Sequence, residues 1–123
     1  MSDKVVVLVT CTSAAEAKKI AHAVVDARLA ACVNIFPNSV SSIYRWKGRV
    51  EAAQEQLLLI KTSRKRLAKL RETVEQLHSY EVPEFIALPI VAGSPAYLAW
   101  LQESIETRAA VAKKNTPARP VKS

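Results

Sequence analysis

Two proline-free apolar runs, set against two β-rich runs that each carry a proline, limit most strongly how this chain can fold. Residues 5–11 (VVVLVTC) and 57–62 (LLLIKT) are short and apolar, which suits central strands of a sheet, the first of them buried on both faces. Pro37 and Pro89 fall in the other two β-rich stretches, 31–46 and 84–91, where a missing N–H is tolerated at a sheet edge. Helical patterns separate the strands. Ser13 with Glu16 reads as a capping box, and Ile20, Val24 and Ala27 supply one apolar face of a helix expected to end near residues 28–30. Thr62 or Ser63 is expected to cap a second helix with Leu67, Leu70, Val74 and Leu77 as its seam. Ser94 and Pro95 open a third, buried through Tyr97, Leu98, Leu101 and Ile105.

The order is therefore β-α-β-β-α-β followed by α, an α+β arrangement of the ferredoxin-like, split βαβ type. Its strand order is 4-1-3-2, so the first and third strands are central, in agreement with the proline placement. Between the second and third strands, Lys47-Gly48 supplies a tight turn, with SSIYRW before it and a long return strand over 49–62 after it. The first half of that return, EAAQEQ, is polar, and the second half, LLLI, is apolar. Only the second half belongs to the core of this chain. The first half forms an arm with Ile43, Tyr44 and Trp46, and an isolated two-stranded ribbon of this kind calls for a partner strand. A homo-oligomer is expected, and a ring of three would close head-to-tail contacts.

With 123 residues, half of them apolar, the chain has room for one core. That domain is placed at residues 1–107. The net charge of +7 suggests nucleic acid until it is divided along the chain. Arg108, Lys113, Lys114, Arg119 and Lys122 stand with no acid in residues 108–123, whereas the rest carries 13 basic and 11 acidic side chains. The charge belongs to a basic tail, 108–123, that reads as disordered and has no aromatic residue for stacking on bases. Nucleic acid is not an expected partner. The longest apolar runs are five or six residues, far below the roughly 20 needed to span a bilayer, and a cytoplasmic location is expected. Cys11 and Cys32 sit on strands with a third strand between them, roughly 9–10 Å apart, too far for a disulfide.

The chemistry-bearing residues gather where elements end. His78 closes the second helix, where a charged imidazole can bond the last carbonyls. As a metal ligand it would act with Glu81, Glu84 or a thiol, Cys11 included. Lys61 closes an apolar strand and reads either as a lysine reaching for water or as the anchor of a small anion in a cleft walled by Tyr44, Trp46, Tyr80 and Cys32. With two glycines in all there is no phosphate-cradling loop, and no nucleophile–base constellation stands out, so no catalytic residues are assigned.

The strings ACVNIFP (31–37), SSIYRWKG (41–48), LLLIKT (57–62), HSYEVPE (78–84), IALP (86–89) and YLAWL (97–101), in this order, closely resemble the divalent-cation tolerance protein family, CutA. The resemblance covers residues 4–106. It implies a ferredoxin-like homotrimer related in architecture to PII signalling proteins, with ligand clefts between subunits. It also implies a non-enzymatic role in tolerance to divalent metals, with copper or another divalent ion as the bound species. The runner-up readings are a PII-like sensor of small metabolites and a ligand-free assembly protein. Two positions depart from the family pattern. Ser79 replaces the proline that commonly follows the histidine, and a first-strand cysteine implicated in metal binding falls at Val9, with Cys11 two residues on and on the same face.

Overall fold

The computed structural model describes residues 3–106, so the basic tail expected at 108–123 lies outside the described residues. In chain order the elements are β1 (Lys4–Cys11), α1 (Ala14–Asp26), β2 (Cys32–Ile35), β3 (Val40–Trp46), β4 (Arg49–Ser63), α2 (Leu67–Leu77), β5 (Ile86–Pro89) and α3 (Pro95–Ser104). A single 3₁₀ turn, Arg64–Arg66, leads into α2. The body of the sheet runs β2-β4-β1-β5, with β3 paired to the N-terminal half of β4. Counting β2 and β3 as one interrupted strand, this is the expected 4-1-3-2 order, with all pairs antiparallel. Pro37 lies in the break between β2 and β3, and Pro89 closes the edge strand β5.

Helices α1 and α2 cover the same face of the sheet. Val5, Val7 and Val9 of β1 and Leu58 and Ile60 of β4 pack with Ala17, Ile20 and Val24 of α1 and Leu70 and Val74 of α2 in one core. Each fully buried aliphatic side chain of this set contributes about 1.5–3 kcal/mol. The intervening residues Val6, Leu8, Leu57 and Leu59 stand on the opposite face and are only half-buried. Burial of β1 on both faces is thus not met within one chain. Leu88 and Ile86 of β5 pair with Val6 and Leu8 and extend the same open apolar face. A smaller cluster joins Ala31 to Leu101 and Ile105 of α3, with Tyr97 and Trp100 against it. Arg28 Nη1 donates to the Ser104 carbonyl (3.2 Å) and fastens the end of α3.

Several local expectations are corrected by tertiary contacts. Helix α1 stops at Asp26, because Arg28 adopts a left-handed conformation (φ 60°), and Ala27 is exposed rather than part of the buried stripe. Neither Thr62 nor Ser63 caps α2. Thr62 Oγ1 donates instead to the Leu29 carbonyl (2.7 Å), and Ser63 precedes the 3₁₀ turn without a side-chain cap. The fourth strand is four residues long rather than eight. Cys11 is in register with Gln56 and Cys32 with Lys61, which separates them by about 17 Å along β4 as well as by two strand spacings. Both thiols are free, and the separation is larger than strand order alone suggested.

The β3–β4 turn is of two residues, with Lys47 at φ 51° and Gly48 at φ 79°. Both positive angles match the type I′ hairpin whose twist suits antiparallel strands. A Cβ on Gly48 would meet no atom within 4 Å, so only the backbone resists substitution. Gly48→Ala is expected to destabilise the protein by about 1–2 kcal/mol through this conformation alone, and Gly48→Asn by less. Urea unfolding midpoints check this, and an unchanged midpoint for Gly48→Ala would count against the strained turn.

Candidate functional site

The arm leaves the body beside the loop that follows α2, and a cleft of about 730 Å³ opens between them. Its floor lies on the open face of the sheet. Thr10 pairs with Leu57, Val40 with Glu55, Ser42 with Ala53 and Tyr44 with Glu51, so Thr10, Glu55, Ser42 and Tyr44 share the face opposite α1 and α2. Trp46 follows on the same face, and Ser79, Tyr80, Glu81, Val82 and Glu84 form the opposite wall.

His78 holds that wall in place. Its side chain is fully buried. Nε2 lies 2.6 Å from the Thr10 carbonyl, and Nδ1 accepts the Tyr80 N–H at 3.0 Å. A carbonyl accepts and an N–H donates, which assigns the neutral Nε2–H tautomer and commits both ring nitrogens. The histidine therefore ties the loop to the end of β1 rather than bonding its own helix's last carbonyls.

Glu16 makes the second tie. Ser13 accepts the Glu16 N–H as expected of an N-cap (3.2 Å). The Glu16 carboxylate takes hydrogen bonds from Thr12 Oγ1 (2.8 Å), Ser79 N–H (2.6 Å) and Ser79 Oγ (3.1 Å). The acid half of the capping box is thus diverted to the loop. Ser79 contributes a backbone N–H that a proline at this position would lack. Burial pushes the Glu16 carboxyl up, but the Thr12 and Ser79 hydrogen bonds outweigh it and hold it below its ordinary value of 4.5.

Tyr80 completes the wall by donating its hydroxyl to Glu55 Oε2 at 2.8 Å. Burial, followed by this bond to a carboxylate, raises the phenol to about 12. Glu84 is raised by burial and by the charge of Glu55. Glu55 itself, 6% exposed, was not among the residues singled out from the sequence. The signal was present: it stands two residues before Leu57 and four before Leu59, on one face of one strand.

The residues expected to form one site divide into three places. Tyr44, Trp46, Tyr80, Glu81 and Glu84 line the cleft. Lys61 and Cys32, expected there too, are paired with each other six residues along β4 from Glu55, about 20 Å away. Cys11 faces the helices, and burial, with the charges of Glu16 and Glu55, pushes its thiol up to about 12. It stays protonated near neutrality, which is unfavourable for metal binding. Among the described residues no group of three or more His, Cys, Asp or Glu is placed to hold a metal ion. His78, Glu81, Glu84 and Cys11 thus do not converge on a copper centre within one chain.

Comparison with known proteins identifies the family to which this fold belongs. The model of a family described as CutA1 divalent ion tolerance protein matches residues 5–104. The chain belongs to this family. It is 54% identical over 99 residues to the divalent-cation tolerance protein CutA of Thermus thermophilus, covering 80% of this chain and 95% of that protein. The solved structure of a Thermus thermophilus CutA1 superposes with a TM-score of 0.81 at 51% identity, over 84% of this chain and 99% of that one. Identity to the chloroplastic CutA of Arabidopsis thaliana is 48% over 100 residues, or 81% of this chain, but this chain spans only 54% of that protein's length. CutA relatives are named for different compartments, chloroplastic in Arabidopsis and periplasmic in Archaeoglobus fulgidus. Among the described residues no helix is long and apolar enough to cross a membrane.

Two outcomes follow from this site. Because Glu16 is depressed in the folded state, its contribution is full above pH 4.5 and is lost as pH falls through its folded value. Glu16→Gln is expected to cost about 1–3 kcal/mol at pH 7, with the gap to wild type closing in acid. Denaturant titrations at pH 7 and pH 3 measure it, and a gap that stays constant would refute the charge-dependent tie. A chromogenic disulfide reagent should modify Cys32 in the native protein and reach Cys11 only after unfolding; rapid reaction of both thiols would contradict the burial of Cys11.

Proposed function

We propose that this CutA-family chain acts in divalent-cation tolerance without enzymatic chemistry, as a homotrimer that binds a ligand at clefts completed between subunits. The observation that carries this reading is the open face of the sheet. Val6, Leu8, Leu57 and Leu59 are half-buried, Ile86 and Leu88 nearly half-exposed, and Ile43 and Val82 at the rim of the cleft are 75% and 69% exposed. An apolar face continuous with a cleft marks an interaction surface, and a second copy of the chain offers the same face in return. The β5 edge and the arm supply unpaired backbone groups beside it. Head-to-tail pairing of such edges closes in a ring, and three members is the number that the family resemblance favours.

What the cleft holds divides two forms of this reading. A copper ion would need donors that His78 and Cys11 do not offer in one chain, which leaves Glu81 and Glu84, oxygen ligands better suited to harder ions. A PII-like sensor of a small metabolite is favoured by the size of the cleft, about 730 Å³, within the range of small-molecule sites.

Light scattering on the intact protein should give roughly 40 kDa, three times the 13.5 kDa chain. Leu59→Lys, which puts a charge on the open face, should shift that mass towards the single chain. A wild-type mass of 13.5 kDa would sink the assembly, and with it a cleft completed between subunits.

A further inference from the structure

The cleft carries charge of the opposite sign to the one an anion site needs. With Lys61 displaced to the far end of β4, the charged side chains that line it are Glu55, Glu81 and Glu84 against Lys47. Glu55 lies deepest and is more than nine-tenths buried. Tyr80 satisfies its Oε2 from one side. Among the described residues Oε1 has no hydrogen-bond partner, and no fully buried side-chain oxygen is left without one, so Oε1 opens into the cleft. A buried carboxylate held from behind and free in front has room for a donor that the described residues do not supply. Burial, and after it the charge of Glu55, raises the Glu84 carboxyl beside it.

The remaining wall sets the chemistry of that donor. Tyr44 and Trp46 present rings that are 42% and 44% exposed on the face that carries Glu55. The Trp46 indole offers a metal ion no ligand atom, whereas both rings attract an organic cation through the ring quadrupole and pack against its carbon skeleton. Carboxylates then take its N–H groups in charge-assisted hydrogen bonds.

We propose that the cleft binds a small organic ammonium ion, with N–H groups donated to Glu55 Oε1 and Glu84 and its carbon skeleton against Tyr44 and Trp46. The assignment rests on the cleft being the ligand site. The same chemistry is carried by a free amine and by a lysine side chain of another protein, and an acetylated lysine amide separates the two.

The test is calorimetric titration of the intact, reduced protein with butylammonium chloride, Nα-acetyl-lysine amide, sodium butyrate, 1-butanol and copper(II) chloride, each alone. Saturable heat with one or both ammonium probes, and none with butyrate or butanol, is the expected result. Tighter binding of butylammonium identifies a free amine, and tighter binding of the lysine amide a protein side chain. Glu84→Gln should weaken ammonium binding by about tenfold, the loss of one charge-assisted hydrogen bond. Trp46→Leu should weaken it by roughly threefold or more. Light scattering checks that both variants keep the wild-type assembly, so that a loss of binding reads on the cleft. Equal binding of butyrate or butanol, or full affinity in Glu84→Gln, overturns the proposal. Binding of copper or butyrate without the ammonium probes overturns the organic-ammonium assignment but leaves a ligand cleft standing. Blank titrations with all five remove both.

Discussion

The alternation of side chains along β4 is the constraint on which the rest of this molecule depends. This one 15-residue strand pairs with β1 and β2 through its apolar half and with β3 through its polar half. Its even-numbered residues Leu58, Ile60 and Thr62 face the helices, and its odd-numbered residues Glu55, Leu57, Leu59 and Lys61 face away. A slip of one residue would exchange the two sets. It would bury Glu55 and Lys61 under α1 and α2 and turn the core outward. Register therefore decides at once where the core lies, which face is left open and which carboxylate reaches the cleft.

The cleft gains its shape from ties that are polar and long-range. The loop after α2 contains no regular element, yet His78, Ser79 and Tyr80 each bond a different part of the body: the end of β1, the start of α1 and the middle of β4. A satisfied buried network of this kind restricts a loop more firmly than apolar contact would, because each broken bond leaves a desolvated group behind. The histidine that resembled a metal ligand is spent on structure. The charged groups that line the cleft beside it are mainly acidic, Glu55, Glu81 and Glu84 against Lys47.

Much of the architecture was legible in the chain because the relevant signals are local. Proline positions separated edge from central strands, Ser13 and Ser94 marked two helix starts, and Lys47-Gly48 marked the hairpin. The misreadings have one cause. Thr62, Glu16 and His78 are residues whose local motif offered a helix-end role, and each is drawn wholly or partly to a partner far along the chain. Lys61 was grouped with the loop because both end an element, although they end elements at opposite ends of the sheet.

By itself, then, the sequence determined the order of elements, their pairing and the apolar character of both sheet faces, since hydrophobic period and turn chemistry act over a few residues. Tertiary structure decided which residues meet. Register placed Cys11 and Cys32 on opposite faces and far apart, removed Lys61 from the aromatic residues, and set Glu55 behind Tyr80. Such meetings depend on distances across strands and on which nitrogen or oxygen is already engaged, and neither is written in the spacing of residues along a chain.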